Sequence, residues 1–248
     1  MGQSRDGADP VSLYSDHGIV LRTYKLGEAD RIVVLLTRDH GKVRAVAKGV
    51  RKTRSKFGSR LEPCSHIAVQ LYSGRGELDI VTQVESIDHF RPIREDLDRL
   101  RRAVTLLEAV DQVAQDREPS PRLYQMLLGA LRTLAAQNPP LVVAGFFWKL
   151  LALEGFAPVL DQCASCGSSG PLVAFDLDHG GVLCASCRRG GPISADALDL
   201  LRLILGGKLG QALEEPEGLA ATELEGIATR ALEATLERRL RSAGLLDA

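Results

Sequence analysis

The chain is poor in aromatic side chains: Phe, Tyr and Trp make up 4% of its 248 residues, and there is one Trp. A binding surface built mainly from stacked rings is therefore excluded, and charge must carry most of any nucleic-acid recognition. Long apolar runs are missing too. The longest, Leu141 to Trp148, falls short of the roughly 20 apolar residues that a membrane span needs, so no membrane association is expected. The leading MGQSRDGADP is polar and lacks the apolar stretch of a secretion signal. Residues 1–12 read as a disordered arm, or partly as a leftover of cloning. Catalytic signatures are absent as well: no G-x-x-x-x-G-K-[ST], no G-x-G-x-x-G after a strand, no H-E-x-x-H and no G-x-S-x-G. His17, His40, His66, His89 and His179 are scattered, and the carboxylates lie mostly on polar helix faces. With no acid–base pair to nominate, the chain is not expected to be an enzyme.

Cysteine is scarce but patterned. Four of the five cysteines form two C-x-x-C pairs, Cys163/Cys166 and Cys184/Cys187, separated by 17 residues. That spacing falls in the range of tetrahedral zinc sites. Each C-x-x-C turn presents two thiolates to one metal, and two turns complete the shell. Four protein ligands leave no open position, so one structural Zn2+ is expected. Gly167 follows the first pair; Arg188 and Arg189 follow the second, where cations offset thiolate charge. Val173, Phe175 and Val182 suggest a short hairpin between the pairs. His179 reads as a solvated turn residue and Cys64, alone beside Pro63, as a structural thiol.

Acidic residues are missing from one stretch. From Lys42 to Arg60 there are eight Lys or Arg and no Asp or Glu, while the whole chain has a net charge of −1. A cationic segment on an otherwise anionic chain is a local binding surface. Lys42, Arg44, Lys48, Arg51, Lys52, Arg54, Lys56 and Arg60 supply the charge, and Thr53, Ser55 and Ser59 add neutral donors for phosphate oxygens. Phe57 is the aromatic within the run; Tyr24 and Tyr72, on neighbouring strands, either stack on bases or simply pack. Phosphate contacts dominate on this reading, which implies steep salt dependence and little sequence specificity.

The first third reads as five strands: Ile19 to Lys25, Arg31 to Thr37, the stretch in which Val43, Ala45 and Ala47 alternate with Lys42, Arg44, Val46 and Lys48, His66 to Tyr72, and Leu78 to Val84. Asp39-His40-Gly41 suits a hairpin turn. Closure into a small barrel removes exposed edges; an OB-type barrel is expected, with an SH3-like barrel as the alternative. From Pro92 the period becomes helical. Leu97, Leu100, Val104, Leu107 and Val110 share one face, with Asp96, Arg99, Arg102 and Asp111 off it. Leu123, Leu127, Leu131 and Leu134 mark a second helix, and Leu141 to Leu153 is apolar almost all round, as in a buried central helix. Ser194 caps a helix that ends at Gly206-Gly207. Thr222-x-x-Glu225 has the form of a capping box opening a last helix, with Leu224, Ile227, Ala231, Leu232, Thr235 and Leu236 inward. The fold class is thus α+β: an OB-type barrel over 13–88, then an all-helical domain (89–160 and 193–248) interrupted by the four-cysteine motif at 161–192.

In that order the chain resembles the RecO family of bacterial recombination mediators. The resemblance rests on Gly18-Ile-Val-Leu-Arg-Thr, Gly27-Glu28-Ala29-Asp30-Arg31, Gly41-Lys42, Ala47-Lys48-Gly49-Val50-Arg51-Lys52 and Ser55-Lys56-Phe57-Gly58-x-x-Leu61-Glu62-Pro63. It runs from about Leu13 onward and is sharpest between Gly18 and Pro63. It implies a non-catalytic protein of the cytoplasm, associated with the nucleoid. Such a protein binds single- and double-stranded DNA and anneals complementary strands. With a RecR-type partner, it helps load recombinase onto DNA covered by single-strand binding protein, whose acidic C-terminal tail can dock on the helical region. It also implies that the eight cations of the basic run are DNA contacts. Two other readings are a zinc-ribbon module that binds RNA or works in transcription, and a zinc-dependent nuclease, which requires an open metal position.

Overall fold

The computed structural model describes residues 12–52, 55, 57–74 and 76–242. The expectation of a disordered arm falls, apart from Ser12, outside them. Among the described residues no helix is long and apolar enough to cross a membrane.

Five strands close into a barrel: β1 (Ser12–Leu26), β2 (Asp30–Thr37), β3 (Gly41–Ala47), β4 (His66–Ser73) and β5 (Asp79–Asp88). Around the ring the order is β1-β2-β3-β5-β4, antiparallel except where β3 meets β5 in parallel. β1 begins seven residues before the apolar stretch that marks it in the sequence. Its polar first half is held by pairing with β4, its second half by β2, and a register shift between Val20 and Arg22 bends it from one to the other. A strand needs a hydrogen-bonding neighbour more than it needs apolarity. Strict alternation on β3 puts Val43, Ala45 and Ala47 in the barrel core with Val20, Val33, Leu35, Ile67, Val69, Leu71 and Val81. A short 3-10 turn, Gly58–Leu61, follows the basic loop and sends Leu61 inward. Phe57 is buried with it at 2% exposure, so it is a core residue and not a stacking ring.

The helices are α1 (Arg91–Arg94), α2 (Leu97–Val113), α3 (Pro121–Ala136), α4 (Val142–Leu153), α5 (Ala195–Leu205), α6 (Leu209–Leu213) and α7 (Leu219–Thr235). Contacts group the chain into two units, Met1–Arg91 with Val110–Leu128, and Pro92–Ala109 with Gly129–Ala248. In the first, the α2–α3 connection runs beside the barrel. Its main chain bonds to Lys42 through Gln115 and Arg117. Gly41 enters β3 with φ +68, and a Cβ there would lie 2.2 Å from the Glu118 carbonyl oxygen, so both its torsion and its neighbour demand glycine.

In the second unit α4 is buried nearly all round, packed by α5, α6 and α7. Ser194 caps α5 by accepting the Ala197 N–H. α7 starts three residues before the expected capping box: Gly218 is its N-cap, and the Thr222 hydroxyl donates back to the Gly218 carbonyl. α6 carries no sequence period long enough to read. On α2 the observed face differs from the expected one. Leu97 is exposed, Ala103 and Leu106 are buried, and Asp111, expected on the polar side, is 6% exposed because Arg22 pairs with it.

Candidate nucleic-acid interface and metal centre

Outward side chains of β1, β2 and β3 form one face of the barrel, which carries Arg22 and Arg44. The register places Arg22, Val34 and Arg44 in one row and Tyr24, Ile32 and Val46 in the next. Lys48 follows β3 and is exposed; Arg51 and Lys52 follow in the turn beyond. Arg44, Lys48 and Lys52 have no ion pair among the described residues. Arg51 serves the loop itself. Its guanidinium donates to the carbonyls of Gly27 and Glu28 and its N–H to that of Ala29, while Asp30 accepts the Gly49 N–H. The Gly-Glu-Ala-Asp turn and the Lys-Gly-Val-Arg loop are thus one stitched unit, and Arg31 adds an ion pair to Glu62 at 3.0 Å. Arg60 donates to the Phe57 carbonyl. Arg54 and Lys56 lie outside the described residues.

Lys42 lies on the same side of β3 as Arg44, but its charge is occupied. Its Nζ donates to the Asp111 carbonyl at 2.9 Å and lies 3.5 Å from Asp116 Oδ1. One further residue, Arg22, escapes the sequence reading, which takes Tyr24 only as a ring that stacks or packs. Arg22 lies across Tyr24, its guanidinium carbon 4.8 Å from the ring centroid, and its Nε is 2.7 Å from Asp111 Oδ2. Their spacing of two on a strand puts both on one face, a signal that was there to be read. Burial, partly offset by Arg22, raises the Tyr24 phenol.

The second site lies in the other unit. β6 (Leu172–Asp176) and β7 (Gly181–Cys184) form the expected hairpin, joined by a short β8 (Gly191–Pro192). Cys163 and Cys166 lie on the turn before it, where Gly167 N–H donates to the Cys163 carbonyl; Cys184 ends β7, and Cys187 closes a 3-10 turn after it. All four Sγ atoms lie within 4.8 Å of one another, and Cys166 Sγ is 3.8 Å from Cys184 Sγ. Four thiolates about 2.3 Å from a central zinc would stand about 3.8 Å apart, so these residues could hold a metal ion. The main-chain N–H of Cys184, helped by those of Cys166 and Ser165, pulls the Cys163 thiol down to about 6. The neighbouring sulfurs, Cys166 first, push Cys187 up to about 12. A metal ion placed among the four sulfurs would take them as thiolates and offset their charge. His179 stays outside the cluster; its Nδ1 meets Asp176 Oδ1 at 2.7 Å and its N–H donates to the same oxygen.

Two family models match the chain: Recombination protein O N terminal over residues 11–90, and Recombination protein O C terminal over residues 94–243. The chain belongs to the RecO family. Its role as a RecO protein is that of a mediator in DNA recombination and repair, acting on DNA. The N-terminal match covers the barrel, the C-terminal match the helices and the cysteine cluster.

Proposed function

We propose that this RecO protein binds single- and double-stranded DNA through the outer face of β3 and the loop that follows, without covalent catalysis. The observation that supports it most is the set of cations Arg44, Lys48 and Lys52, exposed or half-exposed, without carboxylate partners among the described residues, on a closed five-stranded barrel. Arg51, Arg60, Arg54 and Lys56 extend the basic run along the chain. Cations placed this way lower the repulsion between two anionic strands, and strand annealing needs no covalent chemistry. With a RecR-type partner and the tail of single-strand binding protein, the same surface helps load recombinase onto covered strands. One structural zinc on Cys163, Cys166, Cys184 and Cys187 fixes the hairpin; it supplies no open position for chemistry.

The test is binding to labelled single strands across a salt series, wild type beside a triple variant with Arg44, Lys48 and Lys52 changed to Ala. A steep salt slope that flattens by about 2 in the variant, roughly 0.7 to 0.9 per lost phosphate contact, is the expected result. Equal slopes would remove the basic face from DNA binding. Matched RNA strands in competition separate DNA from RNA as the preferred ligand.

A further inference from the structure

Arginine side chains on protein surfaces carry about 2 kcal/mol of rotamer entropy and rarely hold one geometry unaided. Arg22 is held. Asp111 takes its Nε at 2.7 Å, and the two ends of this pair differ in exposure: the Asp111 side chain is 4% exposed, that of Arg22 52%. A buried carboxylate therefore fixes a guanidinium at the surface, and fixes it across the ring of Tyr24. Tyr24 is half-buried; Tyr72, an exposed barrel tyrosine, sits opposite Leu13 and has no arginine over its ring among the described residues.

We propose that Tyr24 and Arg22 form a base-stacking platform for single-stranded nucleic acid, with Asp111 as the residue that positions it. The proposal rests on the barrel face being the DNA surface. Every base has a π face, and both a phenol ring and a guanidinium plane accept one without regard to sequence. Asp111 offsets the charge of Arg22, so this arginine contributes a plane more than a phosphate contact. Arg44, in the same row across Val34, and Lys48 beyond it are the cations left for the backbone. In a chain this poor in aromatics, one preset platform supplies a contribution that salt does not screen.

The experiment compares a normal oligonucleotide with an abasic strand of equal length, in wild type and in Tyr24→Ala, Tyr24→Phe and Asp111→Asn. Tyr24→Ala should weaken binding of the normal strand roughly five- to 150-fold, the span reported for one stacked base. It should leave the abasic strand and the salt slope unchanged. Tyr24→Phe should bind as wild type does. Asp111→Asn should lose affinity for the normal strand while holding or gaining it for the abasic strand, because it frees a cation. A 2-aminopurine base should be quenched on binding to wild type and less so to Tyr24→Ala. Equal losses on both strands, or none, would overturn the platform while a steep wild-type salt slope left the DNA reading standing. Failure of wild type to bind either strand would overturn both.

Discussion

The ammonium of Lys42 donates to the main-chain carbonyl of Asp111 at 2.9 Å, and the carboxylate of Asp116 stands 3.5 Å away. The first cation of the basic run therefore fastens β3 to the α2–α3 connection. Its side chain is 16% exposed, so little of it is left for a phosphate. Lys42→Met should cost about 1.5 to 3 kcal/mol of stability, the range for losing a charged hydrogen bond. The DNA salt slope should be unchanged. Thermal melting and the salt series together check this; a flattened slope at unchanged melting temperature would return Lys42 to the DNA surface.

Arg117 closes a second fastening of the same unit. Asp79 at the start of β5 has a fully buried carboxylate, which accepts from Arg117 at 2.7 Å and from the Tyr14 hydroxyl; Arg117 also donates to the Tyr14 oxygen at 3.0 Å. Burial and the Asp79 hydrogen bond hold the Tyr14 phenol far above its usual range. Arg117→Ala leaves Asp79 buried without its counter-charge, a class of change that costs 3 to 5 kcal/mol when both ions are buried. Arg117 is partly exposed, so a loss of about 2 to 3 kcal/mol is expected. Asp79→Asn in the same background should recover part of it. Urea unfolding of the single and double variants measures both, and additive losses would disprove the coupling.

How far these fastenings were legible follows from the distance along the chain. The alternation of Val43, Ala45 and Ala47 is local, so β3 and the barrel core could be read directly. The paired cysteines are local as well, and their spacing alone brings four sulfurs together. Asp111 and Asp79 meet Arg22 and Arg117 across long separations, and no period reports such a meeting. A lone carboxylate near a helix end looks solvated until its partner is placed. Phe57 misled for the same reason: an aromatic inside a basic run suggests stacking, but the 3-10 turn after it points the chain into the core. Thr222-x-x-Glu225 matched a capping pattern one turn inside a helix whose true start, Gly218, carries no side chain to advertise it.

Metal removal tests the cysteine cluster. The four sulfurs close a short hairpin whose own core is small, with Ala174 and Leu183 beside the cysteines. A bound zinc stabilises the folded state by about 4 kcal/mol when free metal stands about 1000-fold above its dissociation constant. Chelation should lower the melting temperature and zinc should restore it, with zinc at one per chain. Cobalt in its place should give the absorption of a tetrahedral thiolate site. Cys163→Ser with Cys184→Ser should melt low with or without metal. Unchanged melting and zinc content in that variant would remove the metal from the fold.

Glu108 gives a pH dependence of known sign. It lies on α2 and accepts from the Ser242 hydroxyl at 2.5 Å and from the N–H groups of Ser242 and Arg241 at 2.8 and 3.0 Å, tying the chain after α7 to this helix. Burial alone would raise its pKa; the Ser242 hydroxyl and the two N–H donors outweigh it and hold the carboxyl below its ordinary 4.5. A folded-state pKa below the unfolded one means the unfolded chain binds the proton more readily. The stabilisation is therefore whole above about pH 4.5 and fades as pH falls through the lower folded value. Glu108→Gln keeps the shape but turns an acceptor toward three donors into an amide with its own N–H groups. It should melt below wild type at neutral pH, and the gap should close as the solution is acidified below pH 4.5. A gap that stayed constant with pH would mean that Glu108 holds this segment by packing and not as a carboxylate.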